Sequence, residues 1–280
     1  MIPQIMGILN VTPDSFSDGG RYSSIDAAVD RARTLIAEGA TIVDVGGEST
    51  RPGAEPVPID EELRRVVPVV EAIAPLGVRI SVDTRHAEVA RAAVTAGATM
   101  INDVGASLWE VAADLGVAWL AMHMQGEPGT MQDDPRYVDV RTEVYDFLAA
   151  RAASASAAGV AEVWVDAGFG FGKTLDHNLE LVADIDQLVQ AGDLGGFRVA
   201  LGVSRKKSLG LMTARADGDS DGVVAPPSER LEVGVALATW AMLSGVQMIR
   251  AHDVRPHAEA ARAVVAYRSN TAPVPAPAGR

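Results

Sequence analysis

A short pattern repeats along this chain and constrains its fold more than any other feature. A helical segment ends at glycine, Ala or Val follows, and an apolar run then stops at a polar residue five to seven positions beyond the glycine. Glycine directly after a helix is a common C-terminal cap, and such short apolar runs are typical of strands buried on both faces. The glycines are Gly39, Gly77, Gly97, Gly116, Gly159 and Gly245. The pattern predicts buried strands that alternate with helices.

Two further apolar runs, residues 5–9 and 199–203, bring the number of predicted strands to eight. Helical patterns separate them, for example over residues 25–38, 60–76, 87–96, 140–158 and 179–190. Eight successive strand and helix pairs predict an α/β fold of the (β/α)8 TIM-barrel type, which usually takes roughly 250 residues. A doubly wound open sheet is the alternative. It is disfavoured because the turn after the first strand, "NVTPDSF", lacks the glycine pattern typical of nucleotide-binding sheets.

The predicted domain covers residues 1–268 and forms a single unit. The segment 269–280, "SNTAPVPAPAGR", is rich in Pro and Ala without apolar periodicity, so we expect a disordered tail. Residues 213–228 are expected to form a long surface loop inside the domain.

Composition excludes several classes of function. The chain has no cysteine, which excludes disulfides, thiolate catalysis and zinc–thiolate sites. A formal net charge of −13 argues against nucleic acid and anionic membranes as partners, because phosphate is bound mainly by Lys and Arg. No apolar run approaches the roughly 18 residues of a membrane span, and no signal peptide is recognisable. We therefore expect a soluble, cytoplasmic protein that acts on small molecules.

Polar residues end the predicted strands, and in a barrel these ends meet at the face where active sites are built. Any one of them could simply cap the following helix. Eight strands that all end in hydrogen-bonding groups favour a binding site at this face. The set is Asn10, Asp44, Asp83, Asn102, Asp103, His123, Asp166, Lys206, Arg250 and His252.

The chemistry of this set indicates a nitrogen-rich ligand. A carboxylate accepts two parallel hydrogen bonds, so Asp83 and Asp166 with Asn102 suit a flat heterocycle that offers paired N–H donors. Arg250 and His252 follow the last strand, near the place where barrels often bind phosphate. The segment "SRKK", residues 204–207, adds cations and backbone N–H groups at a helix start. The five histidines are too isolated for a hydrolytic metal site.

Several strings, in this order, resemble the bacterial dihydropteroate synthases, and the resemblance runs from about residue 4 to residue 267. They are "MGILNVTPDSFSDGG" (6–20), "DVGGESTRPGA" (44–54), "SVDT" (81–84), "IND" (101–103), "MHMQGEPGTMQ" (122–132), "GFGFGKT" (168–174), "SRK" (204–206) and "IRAHDV" (249–254). Members of this family are TIM-barrel transferases of folate biosynthesis and targets of sulfonamides. They join 6-hydroxymethyl-7,8-dihydropterin diphosphate to p-aminobenzoate and release diphosphate, and the reaction is thought to pass through a pterin cation.

The resemblance implies a role for each matching residue. The pterin would contact Asp83, Asn102, Asp166 and Lys206, with Asp44 nearby. The diphosphate would lie against Arg250, His252 and Asn10, and Asn10 would also hold Mg²⁺. Because Mg²⁺ keeps waters and borrows phosphate oxygens, it is expected to bind together with the substrate.

Two loops are implied as mobile lids over the site. In the first, residues 10–20, Phe16 would line the p-aminobenzoate pocket and Asp18 would face the cation. In the second, Thr50, Arg51 and Pro52 would close over p-aminobenzoate, whose pocket would also include Phe171, Ser204 and Lys207. The implied catalytic residues are Asp18, Arg51, Lys206 and Asp83. Lys207 stands where Ser is usual in the family, which leaves open whether sulfonamides inhibit this chain.

Two other functions remain possible from the sequence. A pterin-binding methyltetrahydrofolate:corrinoid methyltransferase would share the barrel and the ring-binding carboxylates, but it needs neither the "STRPG" lid nor a diphosphate site. A paralogue without synthase activity would keep the barrel as a binding or regulatory protein. A homodimer is expected by resemblance alone.

Overall fold

The computed structural model describes residues 2–11, 21–49, 56–218 and 224–271. Eight parallel strands close into one barrel in chain order, which confirms the predicted (β/α)8 fold. The strands are β1 (Gln4–Asn10), β2 (Ile42–Gly46), β3 (Arg79–Asp83), β4 (Met100–Asp103), β5 (Ala118–Met122), β6 (Val163–Asp166), β7 (Arg198–Leu201) and β8 (Met248–Ala251).

Helices surround the barrel. They are α1 (Arg21–Glu38), α2 (Ile59–Ile73), α3 (Ala87–Ala96), α4 (Trp109–Leu115), α5 (Val140–Ala157), α6 (Leu175–Ala183), α7 (Ile185–Gly195), α8 (Lys207–Ala216), α9 (Leu231–Leu243) and α10 (Val254–Thr271). Short 3-10 helices cover Ala74–Leu76 and Pro227–Glu229. In the part of the chain that the structure describes, no helix is long and apolar enough to cross a membrane.

The barrel interior changes from apolar to polar along the strands. The apolar floor consists of Met6, Ile42, Met100, Ala118, Leu120, Trp164, Ala200 and Met248. Side chains alternate between the two faces of a strand, so the inward position repeats every two residues. Two positions beyond Ile42, Met100, Trp164 and Met248 lie Asp44, Asn102, Asp166 and Arg250. The alternation therefore stacks a polar layer directly above an apolar one.

The outward strand residues form the main hydrophobic core with the helices. Val43, Val45, Val82 and Ile101 belong to this shell, as does Trp119, and all five are fully buried. Because both faces of each strand are covered, the runs are apolar at nearly every position.

The glycines that predicted helix ends all take positive φ. The angles are 108° at Gly39, 74° at Gly77, 125° at Gly97, 64° at Gly116, 98° at Gly159 and 107° at Gly245. Glycine adopts this conformation without the steric strain that a Cβ imposes. The repeated sequence pattern therefore corresponds to a repeated C-terminal cap of the helices.

Three predicted boundaries differ from the structure. The helical pattern 179–190 is two helices, α6 and α7, which meet at Asp184, where the Tyr145 hydroxyl donates to the Leu181 and Asp184 carbonyls. The first four residues of the predicted loop 213–228 belong to α8, which continues to Ala216, and residues 219–223 of that loop lie outside the described residues. The first three residues of the tail predicted from Ser269 belong to α10, which runs to Thr271, and residues 272–280 lie outside the described residues. Arg268 on α10 donates to the Met242 and Leu243 carbonyls at 3.0 Å each, which fixes the last turns.

Candidate active site at the barrel mouth

The centre of the mouth is a guanidinium between two carboxylates. Arg250 on β8 donates from Nε to Asp44 Oδ2 at 2.7 Å and from Nη2 to Asp83 Oδ2. Asn102 Nδ2 also donates to Asp44 Oδ2, at 2.9 Å. Residues from β2, β3, β4 and β8 thus meet at one point, although up to 206 positions separate them along the chain.

Asp166 and Lys206 complete the polar layer on the other side of Arg250. Asp166 accepts the backbone N–H of Gly168 at 2.7 Å and that of Gly202 at 2.9 Å. A Cβ at Gly202 would lie 3.5 Å from Asp166 Oδ2, 3.7 Å from Arg250 Cβ and 3.9 Å from Lys206 Nζ. These distances place Asp166, Arg250 and Lys206 around one small space.

Burial shifts the protonation of this layer. Burial raises the pKa of Asp83 to about 7, against the charge of Arg250, while the charge of Asp44 raises it further. Burial lowers the pKa of Lys206 to about 8, although the charge of Asp166 opposes that change. Burial also lowers the pKa of Arg250, but the charges of Asp44 and Asp83 outweigh it and leave that pKa raised. Arg250 therefore stays charged, whereas Asp83 and Lys206 titrate near neutrality.

Lys206 lies against the loop that follows β6, residues 168–173, called the β6 loop below. Its ammonium donates to the Phe169 carbonyl and lies 4.3 Å from the centre of the Phe171 ring. This contact brings Phe171, predicted in the p-aminobenzoate pocket, next to Lys206, predicted at the pterin.

The loops after β7 and β8 are tied together at the rim. Ser204 Oγ lies 3.1 Å from the backbone nitrogen and from Nδ1 of His252. Arg205 forms a paired contact with Asp253, at 3.0 and 2.7 Å, and takes a left-handed φ of 61°. Lys206 is the N-cap residue of α8, and Lys207, the first residue of that helix, is exposed. The side chain of Lys207 is therefore on the surface and not enclosed in a pocket.

Two residues of the predicted mouth support the protein backbone or core. Asp103 accepts the backbone N–H groups of Gly105, Ser107 and Leu108, and also Trp119 Nε1. Burial raises the pKa of Asp103, although these hydrogen bonds oppose that shift. His123 is buried just beyond β5, where its ring packs edge-on against Phe147 at 5.1 Å.

The structure also shows one polar side chain inside the barrel, that of Ser81, that the sequence prediction missed. Ser81 Oγ and Asp44 Oδ1 are buried without a hydrogen-bond partner among the residues described. Ser81 precedes Asp83 by two positions on β3, so strand alternation was the signal that could have placed it inside the barrel.

A second cluster lies beside the mouth. The possible ligand atoms of Glu48, Glu62 and His86 are within 4.8 Å of one another. His86 Nδ1 lies 2.7 Å from Glu62 Oε2, and Arg85 pairs with Glu48 at 3.3 Å. A guanidinium already faces Glu48, whereas Glu62 Oε1 is buried without a hydrogen-bond partner among the residues described, so these contacts satisfy only part of the cluster.

Asn10, the predicted Mg²⁺ ligand, ends β1 beside Gly46 and is partly buried. Phe16, Asp18, Thr50, Arg51 and Pro52, the predicted lid residues, lie outside the described residues.

Comparison with known proteins gives consistent results. Residues 6–252 match the family described as pterin binding enzyme. The dihydropteroate synthase of Escherichia coli (strain K12) is 45% identical over 274 residues, which cover 95% of this chain and 92% of that protein. The structure of Yersinia pestis dihydropteroate synthase with a sulfonamide drug complex has a TM-score of 0.84 and 43% identity, over 95% of this chain and 94% of that one.

A second solved structure carries one of the expected substrates. Xanthomonas albilineans dihydropteroate synthase with 4-aminobenzoic acid has a TM-score of 0.83 and 42% identity, over 98% of this chain and 94% of that one. The chain therefore belongs to the pterin-binding enzyme family and, within it, to the dihydropteroate synthases.

Proposed function

We propose that this chain condenses 6-hydroxymethyl-7,8-dihydropterin diphosphate with p-aminobenzoate at the mouth of the barrel, giving 7,8-dihydropteroate and diphosphate. The observation that carries the proposal is the contact of Arg250 with both Asp44 and Asp83, in a chain of the dihydropteroate synthase family. Acidic and basic groups for the two ends of the substrate thus lie within one mouth.

The pterin would occupy the space among Asp83, Asn102, Asp166 and Asp44. Asp44 Oδ1 is buried and has no described donor, and such an unmade hydrogen bond costs about 1–3 kcal/mol. Each carboxylate oxygen can accept a further hydrogen bond, so Asp83 and Asp166 also keep capacity for ring N–H groups. A nitrogen-rich bicycle would supply the donors that this layer lacks.

Arg250 would change partners during the reaction. Its guanidinium now neutralises Asp44 and Asp83. When the ring donors engage these carboxylates, Arg250 is released to face the diphosphate with His252. The C–O bond to diphosphate breaks, the electron pair leaves with the diphosphate oxygen, and a pterin methylene cation remains. Fixed charges at the mouth would stabilise the separation.

The amine of p-aminobenzoate would then form the new C–N bond with its lone pair and lose a proton to water. We place its ring against Phe171 and its carboxylate near Ser204 and the start of α8, where backbone N–H groups favour an anion. Lys207 would add charge at the rim. The proposed lid roles of Phe16, Asp18, Thr50, Arg51 and Pro52 stay predictions from the sequence.

Mg²⁺ fits the donor chemistry proposed at the diphosphate side. Asn10 offers a carboxamide oxygen at the end of β1, and hard oxygen ligands suit this ion. A bound Mg²⁺ would neutralise charge on the diphosphate, with phosphate and water oxygens as its other ligands.

The test is a reconstitution from purified parts. The protein is mixed with the pterin diphosphate, p-aminobenzoate and Mg²⁺, and both diphosphate and dihydropteroate are quantified. We expect equal amounts of the two products, and a loss of at least about a hundredfold in Asp166→Asn, because one ring-orienting carboxylate is removed. Pterin binding without any turnover would instead support a non-catalytic paralogue, and methyl transfer from methyltetrahydrofolate to a corrinoid would support the methyltransferase.

A homodimer is proposed through α9 and α10. Trp240 and Leu243 on α9 and Tyr267 on α10 are 54%, 42% and 60% exposed. Helices α9 and α10 pack against each other, so these side chains can form one apolar patch. A cytoplasmic location stays a prediction from the sequence.

A further inference from the structure

Lys173 is buried at the end of the β6 loop and is not needed for any step proposed above. Only 3% of the residue is exposed. Its Nζ contacts three acceptors, His123 Nδ1 and the Phe171 carbonyl at 3.0 Å each, and the His123 carbonyl at 3.4 Å. The side chain therefore joins the end of β5 to the β6 loop.

The β6 loop carries two groups of the site. Its Phe169 carbonyl accepts from Lys206, and its Phe171 ring lies against the same ammonium. Other contacts that hold the loop come from neutral donors, namely Tyr137 to the Gly172 carbonyl and Gly170 N to Asn178 Oδ1. Lys173 differs from these donors because its hydrogen-bonding capacity depends on a titrating proton.

The count of donors and acceptors explains why that proton matters. An ammonium has three N–H donors, which match the three acceptors, whereas a neutral amine has two and keeps all three contacts only if His123 changes tautomer and donates from Nδ1 to the amine lone pair. Burial, followed by the charge of Lys173, lowers the pKa of His123 to about 3, so its ring is neutral and Nδ1 can accept.

The environment of Lys173 brings its pKa close to neutral pH. Burial lowers the pKa of Lys173 to about 7, the charge of Lys206 lowers it further, and that of Asp166 raises it. The groups that face it are therefore His123 just beyond β5, Asp166 at the end of β6 and Lys206, the N-cap residue of α8. The Tyr137 ring packs against the His123 ring, and the centres of the Tyr137 and His177 rings are 4.9 Å apart.

We propose that Lys173 is a positioning residue whose protonated side chain holds Phe171 in place, so that affinity for p-aminobenzoate, more than affinity for the pterin diphosphate, depends on this proton. The inference rests on the proposed function, because it assumes that Phe171 lines the p-aminobenzoate pocket.

The native protein gives the first test. The KM for p-aminobenzoate is measured at saturating pterin diphosphate from pH 6 to pH 8. We expect this KM to rise about tenfold across the range, the size expected when one charged hydrogen bond is lost. A KM that stays constant with pH would overturn the proposal without any variant.

The second test is Lys173→Met, which keeps the apolar stem and removes the charge. Its KM for p-aminobenzoate is expected to be about tenfold higher at pH 6 and to vary less with pH than that of the native chain, in which Lys173 and Lys206 both titrate, with less than a threefold change for the pterin diphosphate. Equal losses for both substrates, or a fall in kcat alone, would show a merely structural role. Should this variant not fold, His123→Leu removes the Nδ1 acceptor and is expected to raise the same KM.

Arg215→Met is the matched control, because Arg215 is exposed on α8 and pairs only with Asp176 among the described residues. Its kinetics are expected to equal those of the native chain. Absence of turnover in the native chain would contradict the proposed function, whereas native turnover with unchanged Lys173→Met kinetics would contradict only this inference.

Discussion

Individual residues at the mouth are arranged so that opposite charges compensate one another. Asp44 and Asp83 would repel each other across the barrel, and Arg250 lies between them. Burial makes this compensation necessary, since an unpaired charge in a protein interior is costly. The same three charges can then be redistributed between a nitrogen heterocycle and an anion.

Asp83 gives a prediction about pH at this scale. Because its pKa in the ligand-free protein is raised to about 7, the carboxylate is lost as pH falls through 7, and with it the acceptor for ring N–H groups. We expect the affinity for 6-hydroxymethylpterin to fall by about tenfold for each pH unit below 7. Calorimetric titrations from pH 5.5 to 7.5 measure this change.

Asp83→Asn is the control for that series. The variant cannot ionise at position 83, so its affinity is expected to be low and independent of pH over the same range. A native affinity that does not change between pH 5.5 and 7.5 would contradict the assignment of Asp83 to the ring.

At the scale of single elements, the β6 loop packs closely against the backbone that follows β5. Gly168 has φ of 68°, and a Cβ there would lie 1.8 Å from the His123 carbonyl oxygen. Gly196, after α7, has a similar φ of 75° but nothing within 4 Å of such a Cβ. A side chain at position 196 would therefore suffer backbone strain alone, whereas one at position 168 would suffer backbone strain and steric overlap.

Replacing each of these glycines with alanine tests the packing of the loop. Gly196→Ala introduces only left-handed strain, and we expect it to lower the free energy of unfolding by about 1 kcal/mol. Gly168→Ala adds the clash, and we expect a loss of about 3 kcal/mol or more, together with weaker p-aminobenzoate binding. Urea unfolding of both variants measures the difference. Equal losses would show that the loop moves freely away from His123.

At the scale of the whole molecule, the apolar residues that stabilise the barrel and the polar residues of the candidate site lie at different levels along the barrel axis. The floor is apolar, the next inward layer is polar, and the helices cover the outer faces. Apolar side chains on α9 and α10 remain exposed in the folded chain.

The proposed homodimer predicts what a charge in this patch will do. Trp240→Glu places a carboxylate among Leu243 and Tyr267, and we expect it to convert the dimer to a monomer in analytical ultracentrifugation. Leu194→Glu is the control, because Leu194 is 92% exposed on α7, a helix that is not part of the proposed interface. A native protein that is monomeric would contradict the proposed dimer. A Trp240→Glu variant that stays dimeric would show that the interface lies elsewhere.

The sequence was sufficient for the fold because the fold depends on local rules. Six of the eight strands were predicted from a glycine just past a helical segment, which takes a positive φ, and each strand is a short apolar run, so these strand and helix pairs could be recognised separately. Boundaries such as the α6–α7 junction were missed, since they depend on Tyr145 from another helix.

The candidate site was predictable in its membership but not in its contacts. Asp44, Asp83, Asn102, Asp166 and Arg250 were recognisable because each follows an apolar run at the same end of a strand. Their pairing was not, because hydrogen bonds between residues on different strands depend on the curvature and register of the closed barrel. Local chemistry thus determined which groups reach the mouth, whereas the tertiary structure decided that Arg250 joins Asp44 to Asp83 and that Lys173 holds the β6 loop against His123.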